Sequence, residues 1–413
     1  MEAWDDGDYS TGDADRDRTT EWTYTADGQV ATMTARNPNT GSQVTKYVYG
    51  TTTTESGVAR SDLLRAVIYP DSDDVENPLG DGTDTVYDRV EYKYNRLGQT
   101  VEMKDQAGTV HAYDYDKLGR LTQDRVTAFG SGVDQTVKRI GRTYEVRGML
   151  EKATSYDHAT VGQGNIVNEV QHAYNTFGQL VTEYQEHAGA VNTGSSLKTQ
   201  YGYADGGSSS NHIRPTSLGS PASRWVIYDY GSSGEMDDVL NRVRNLRPHW
   251  KTIYATYTYL GMGTIVRTDL PVPEVRLDLW GGTSGTYAGI DRFGRTISHG
   301  WVYYNGGSTD RDRFEYGYDR ASNRLYKDNT VTTLRDELYT YDNLHRLADM
   351  DRGTLNEGRT AIDGTPAREE DYTLDPTGNW ATYLTKTSGS TDLDHDRDHN
   401  EANEVGTITT NTG

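Results

Sequence analysis

The 413-residue chain contains no cysteine, so disulfides, thiolate metal sites and a cysteine nucleophile are all excluded. It has only four phenylalanines and few leucines and isoleucines, which argues against a thick aliphatic core. No apolar run approaches the roughly 20 residues of a membrane span, so no membrane insertion by this segment is expected. Cations are also in deficit: 41 Lys and Arg stand against 62 Asp and Glu, a formal charge of −21. A protein that neutralises a phosphate backbone needs clustered cations, so nucleic acid is excluded as a partner.

What the chain does have is 31 tyrosines and 44 glycines. High charge with little aliphatic material would suit a disordered chain, but disordered chains are poor in aromatics. Tyr, Val and Thr are residues of half-buried strands, so the composition predicts sheet. Self-similarity sharpens this. Tyr-x-Tyr recurs at Tyr47/Tyr49, Tyr92/Tyr94, Tyr113/Tyr115, Tyr201/Tyr203, Tyr228/Tyr230, Tyr257/Tyr259, Tyr316/Tyr318 and Tyr339/Tyr341. A glycine often follows four residues after the second aromatic: Tyr24 to Gly28, Tyr94 to Gly98, Tyr115 to Gly119, Tyr144 to Gly148, Tyr174 to Gly178, Tyr203 to Gly207, Tyr230 to Gly234 and Tyr259 to Gly263. Gly294 and Gly378 continue the series behind Ile290 and Leu374, and Ser322 and His345 take the slot behind Tyr318 and Tyr341. From Gly98 onward the slots recur about every 28 residues, the mark of a repeat architecture.

Each unit reads as a hairpin. In Val90-Glu91-Tyr92-Lys93-Tyr94 apolar and charged residues alternate, as in a strand with one buried face. Asn95-Arg96-Leu97-Gly98 supplies the reversal, and alternation resumes at Gln99–Met103. Residues i and i+2 share a face, so each Tyr pair sends two rings to one side, where they stack into a stripe across the sheet. Tyrosine buries its ring while its hydroxyl reaches a polar partner, which phenylalanine cannot do. Asp116, Asp319 and Asp342, directly after the second Tyr, are turn formers whose carboxylates accept backbone N–H groups. About 14 such units give some 28 strands, too many for a flat open sheet, so the ribbon is expected to curl or spiral. The fold class is therefore all-β, repeated antiparallel hairpins in one long curled or spiralling sheet. Paired turns disfavour a parallel β-helix, and the unit is shorter than a propeller blade.

Pro70–Gly82 reads as an insertion, Gly206–Pro221 as a loop or decorated turn, Val239–Pro248 as a strand or one short helix, and Asp5–Arg18 and Thr391–Glu404 as solvated acidic stretches. Chemical motifs are sparse. Asp13, Asp15 and Asp17 begin like a calcium loop, but Arg18 replaces its glycine and Tyr24 its bidentate glutamate. His395 and His399 are four apart, yet the segment is not helical in pattern and no Glu follows His395. No nucleophile elbow, P-loop or dinucleotide loop occurs, so no catalytic, cofactor or metal residues are assigned and the chain is read as non-enzymatic. The tryptophans, Trp22 and Trp380 among them, are expected to pack in the stripe or its turns, with sugar stacking as the other use of an exposed ring.

Tyr115-Asp116-Lys117-Leu118-Gly119-Arg120-Leu121 is the cleanest copy, and Arg295 follows Gly294 as Arg120 follows Gly119. With its relatives along the chain it resembles the bacterial Rhs/YD-repeat proteins. Leu374-Asp375-Pro376-Thr377-Gly378-Asn379-Trp380 and Arg397–Glu404 resemble a C-terminal stretch of the same repeats. The resemblance implies a hollow shell, whole or partial, which in toxin complexes and polymorphic toxins encloses a C-terminal effector and in the related teneurins serves adhesion. Asp375-Pro376-Thr377-Gly378 matches a self-cleavage motif in four letters, but it occupies an ordinary turn slot and cleavage is not carried over. The expected organisation is an acidic segment 1–21, a YD-repeat shell 22–390 and an acidic continuation of the repeat 391–413, as a fragment of a larger shell. Expected partners are the rest of that shell and its effector cargo, or, on the adhesion reading, cell-surface glycans; the expected location is secreted or cell-surface. Gly119→Val is expected to impair folding more than Gly189→Val, because only Gly119 sits in the hairpin slot.

Overall fold

The computed structural model describes residues 19–37, 41–204, 213–249, 252–279, 289–400 and 403–411. Its dominant feature is a single 28-stranded sheet. Each strand of this sheet pairs antiparallel with the sheet strand before it and the one after it in the chain, from Thr20–Tyr24 to Val405–Thr410. The Pro70–Gly82 insertion folds apart as a two-stranded ribbon, Val75–Glu76 with Leu79–Gly80. The two outer strands, Thr20–Tyr24 and Val405–Thr410, each pair on one side only among the described residues, so the sheet does not close into a barrel.

The sheet is one layer thick. Apolar residues that are fully covered are few and scattered, such as Ala66, Val67, Ile68, Val266, Val302 and Met350. Typical strands, such as Val110–Tyr115 and Val30–Ala35, are half-buried at every position. Without a second layer, side chains on each face are covered mainly by their neighbours on adjacent strands.

The hairpin formed by Val110–Tyr115 and Leu121–Ala128 shows the local logic. The Asp116 N–H donates to the Arg120 carbonyl and the Gly119 N–H to the Asp116 carbonyl, each at 3.0 Å. Gly119 has φ +81°, a left-handed conformation that a Cβ disfavours. Gly28, Gly98, Gly148, Gly178, Gly294 and Gly378 adopt the same hand, as do the substitutes Ser322 and His345 at φ 74° and 63°.

Because consecutive strands are antiparallel neighbours, alternate connections fall on opposite rims of the ribbon. The Tyr-Asp turns lie on one rim, and the links between hairpins lie on the other. The ribbon then laps itself. Asn37, on the link rim, is 2% exposed and donates to the Asp375 carboxylate at 2.8 Å, across 338 residues. Gln43 hydrogen-bonds Asn403 across 360 residues. The turn rim of the last two hairpins therefore sits on the link rim of the first strands. A cavity of about 400 Å3 lies in this seam, lined by residues including Gln43, Tyr69, Asp71, Gln106 and Asn403.

Several expectations are corrected. Gly263 is not the left-handed residue of its turn; Gly261 is, at φ +60°, because Tyr259 and Leu260 pair with Ile265 and Thr264 around a shorter loop. Gly234 does have positive φ, but it leads into a one-turn helix, Met236–Val239, rather than closing a hairpin. Val239–Pro248 thus holds the end of that helix and the strand Asn245–Arg247. Pro215 opens a strand, Pro215–Gly219, instead of lying in a loop. The acidic Thr391–Glu404 stretch is largely strand Ser390–His399, with Asp396 and Asp398 on its exposed side and His395, Arg397 and His399 half-buried. Gly207, the Asp13–Asp17 triplet and residues 1–18 lie outside the described residues.

Gly189 also has positive φ, +110°, so it is no neutral control for Gly119. Gly358 is the better one: it lacks positive φ, and the atom nearest to where its Cβ would stand is 3.5 Å away. Gly119→Val is expected to cost about 1–2 kcal/mol, and Gly358→Val well under half of that. Thermal denaturation followed by circular dichroism checks this; equal midpoints would remove the turn assignment.

Candidate functional site

The feature built most often by the sequence is a clasp between neighbouring hairpins. In most hairpins the pairing register slips at the second aromatic, for example between Thr143 and Tyr144; the hairpin before Tyr230 pairs without a slip. Such a bulge twists the strand end. The ladder to the preceding hairpin stops three residues before the tyrosine: Gln123 pairs with Gly141, and Tyr144 and Leu121 then diverge. The Tyr144 hydroxyl bridges the gap and donates to the Leu121 carbonyl at 2.7 Å.

The same construction recurs. Tyr94, Tyr115, Tyr174, Tyr203 and Tyr230 donate to the carbonyls of Leu64, Thr100, Leu150, Leu180 and Pro215. Tyr259, Tyr318 and Tyr341 donate to those of Val243, Thr296 and Arg324. Each hydroxyl comes from three residues beyond the last ladder pair, and each carbonyl from two residues before it on the facing strand. Burial raises the phenol pKa of Tyr94, Tyr115, Tyr174, Tyr203, Tyr230, Tyr259 and Tyr341, so these donors keep their protons. Tyr24, in the outermost strand, is 62% exposed.

The turns add a second link. The Asp116 carboxylate accepts from the Leu118 and Arg120 N–H groups, each at 2.9 Å, and from the Arg120 guanidinium at 2.7 Å. The Arg120 N–H bond and guanidinium hold its carboxyl below the usual range. Arg120 then lies over the ring of Tyr144 in the next hairpin, 4.4 Å from its centroid. Asp291, Arg295 and Tyr318 repeat the arrangement, with Arg295 4.7 Å over the ring. Asp319 accepts from the Asn323 N–H and Asp342 from the Arg346 N–H, each at 2.8 Å. At Leu374 no hydroxyl is present; there Arg346 donates to the Asp375 carbonyl at 2.6 Å.

These sites hold and orient neighbouring hairpins. His111 contacts Asp124 at 2.7 Å and His172 approaches Glu183 at 3.6 Å, without a nucleophile completing either pair. His395 and His399 share one strand, where four residues span about 13 Å, too far for one metal ion. Among the described residues no three His, Asp or Glu side chains converge as a ligand set.

Sequence reading missed two features. One is the lap, where Asp375 accepts from Asn37, Asn379 and Thr377. Burial opposes ionisation there, but these donors hold the Asp375 carboxyl below its usual range. The other is an acidic cluster in which Asp349 and Asp351 stand opposite Asp371 and Glu369. Burial first, then Asp351, Asp371 and Glu369, pushes the Asp349 carboxyl up to about 7. Asp349 and Asp371 are direct cross-strand partners, so their side chains leave the sheet side by side. The acids i, i+2 on each strand were visible; their register across a 14-residue link was not.

Residues 94–131 match the family model described as RHS Repeat. The chain is similar in fold to solved toxin-complex structures. A Photorhabdus luminescens Tc holotoxin pore is 11% identical at a TM-score of 0.54, over 95% of this chain and 20% of that one. A TcdB2-TccC3 crystal structure is 12% identical at a TM-score of 0.55, over 95% and 21% respectively. The chain thus spans about a fifth of the length of the structures it matches. No curated protein matches the sequence.

Removing one clasp, Tyr144→Phe, is expected to cost about 1 kcal/mol by stranding the Leu121 carbonyl, whereas Tyr24→Phe costs nothing measurable. Urea denaturation of the two variants checks it. The pH dependence has a definite sign. A carboxyl with a folded pKa of about 7 and an unfolded value near 3.9 makes the folded state the better proton binder, so its ionisation weakens the fold as pH rises from about 4 through 7. Solvent screening at this partly exposed site reduces the effect. Asp349→Asn should therefore stabilise the protein by on the order of 1 kcal/mol at pH 8 and leave it near wild type at pH 4.

Proposed function

We propose that this bacterial Rhs/YD-repeat protein is a non-enzymatic wall segment of a larger shell that encloses or presents an effector. The observation that carries the reading is the lap. The ribbon curls until the turn holding Asp375 and Thr377 seats on Asn37, and a sheet that winds rim on rim makes a wall around a space. The similarity to toxin-complex chains about five times longer supports a segment's role rather than a complete assembly. Its partners are then further windings of the same sheet and the cargo within them, in a secreted or cell-surface particle.

Adhesion through glycans finds less support. The Trp380 ring is partly exposed, but Tyr372, Tyr383 and Arg397 all lie within 5.1 Å of it, so its faces are already engaged.

Negative-stain electron microscopy of the polypeptide expressed from its complete reading frame tests the proposal. A hollow particle with a protease-resistant interior segment is expected. A solid rod, or an open ribbon with no protected segment, would overturn it.

A further inference from the structure

The cavity of about 400 Å3 beside Asn403 has a definite chemistry. Thr45 stands opposite Met33 on the paired strand and Gln43 lies two residues along, so these side chains share a face and form the floor. Tyr69, Asp71 and Gln106 join it from two links, and Asn403 and Glu404 from the turn before the last strand. The site is held in shape without a ligand. Gln43 and Asn403 hydrogen-bond each other through their amides, and Asn403 also accepts from Asn379 at 2.7 Å. Gln43 and Thr45 are each only 8% exposed. Yet the Thr45 hydroxyl has no hydrogen-bond partner among the described residues, and neither has the Asp71 carboxylate or the Gln106 amide. A polar side chain so deeply covered is ordinarily paired, so three idle groups around one cavity point to a partner from outside the chain.

The lining selects the class of that partner. No Lys, Arg or His lines the cavity while Asp71 and Glu404 do, which excludes phosphates and other anions. An ammonium would suit the carboxylates, but it has donors alone and would leave the Gln106 N–H groups unmet. A sugar hydroxyl both donates and accepts, as a carboxylate, an amide and a hydroxyl together require. A sugar ring also has an apolar C–H face to set against Met33 and the ring of Tyr69, which is 39% exposed. The volume is that of a small-molecule site. We propose that this cavity binds a neutral saccharide of one or two rings. Thr45, Asp71 and Gln106 take its hydroxyls, and Tyr69 and Met33 take its apolar face. The ligand touches the first strands and the last turn at once, so its binding favours the closed lap. The site is remote in kind from adhesion through an exposed tryptophan, and it needs the lap but no hollow particle.

Saturation-transfer difference NMR on the full chain tests this, with glucose, galactose, mannose, rhamnose and N-acetylglucosamine as probes. At least one is expected to bind with a Kd of about 1 mM, the strength open to a ligand of a dozen non-hydrogen atoms. The same sugar should raise the thermal unfolding midpoint. Gln106→Ala and Asp71→Ala remove side chains with no hydrogen bond in the fold, so each should keep the wild-type circular dichroism melt without sugar and weaken binding about fivefold. Binding of none of the five sugars, binding unchanged in both variants, or a preference for putrescine over every sugar would each overturn the proposal. A hollow particle that binds no sugar would sink this inference alone, and sugar binding by a chain that forms no hollow particle would sink the shell reading alone.

Discussion

A sheet one layer thick has no core to hold its strands in place, so its integrity depends on the hydrogen bond from a phenol to a carbonyl where the ladder opens. At most hairpin mouths the bulge beside the turn also twists the strand away from its neighbour. A backbone carbonyl is left facing a gap too wide for a backbone partner, and an unmet carbonyl in a half-buried site is costly. The tyrosine fills the gap with its ring and meets the carbonyl with its hydroxyl. Phenylalanine would fill and not meet; serine would meet and not fill. This is the physical reason for tyrosine rather than phenylalanine at the nine clasp positions among the described residues.

The clasp is directional, and so is the turn chemistry beside it. Asp116 fixes Arg120, and Arg120 lies on Tyr144 of the following hairpin, whose hydroxyl returns to Leu121. One hairpin thus prepares the surface on which the next one packs. Stability in such an array is a sum of units and nearest-neighbour interfaces, and each interface here is a few side chains wide. Irregular junctions are bridged by other means. Arg242 and Arg214 cover the rings of Tyr259 and Tyr230 where a short helix interrupts the pattern, and both are tied to Asp237 or Asp238 of that segment.

Much of this was legible in the sequence because the determinants are local. Period-2 alternation with a turn signal at a fixed offset specifies a hairpin, and the slot remained recognisable when Ser322 and His345 filled it, since each is a tolerable left-handed residue with the same Asx partner before it. Where two glycines compete, as at Gly261 and Gly263, spacing alone selected the wrong one, because loop length is decided by which pair of residues closes the ladder. The links between hairpins vary in length, so the facing of Asp349 with Asp371 was not readable. Nor was the meeting of Asn37 with Asp375, which depends on the curl accumulated over 28 strands.

The lap is also instructive for what it is made of. A chain carrying −21 would be expected to repel itself wherever its ends approach. The seam meets this with amides and hydroxyls: Asn37, Gln43, Thr377, Asn379 and Asn403 gather around the Asp375 carboxylate and donate to it or to one another. Those bonds do not depend on a counter-charge and are little screened by salt, so the lap is less sensitive to the acidity of the rest of the sheet. The acidic strain falls instead within the sheet, at Asp349 and Asp371, where covalent neighbours and a continuous ladder hold like charges together. A sheet that laps rim on rim tolerates repulsion inside a strand pair far better than across the seam, because the ladder holds the pair together and only side chains hold the seam.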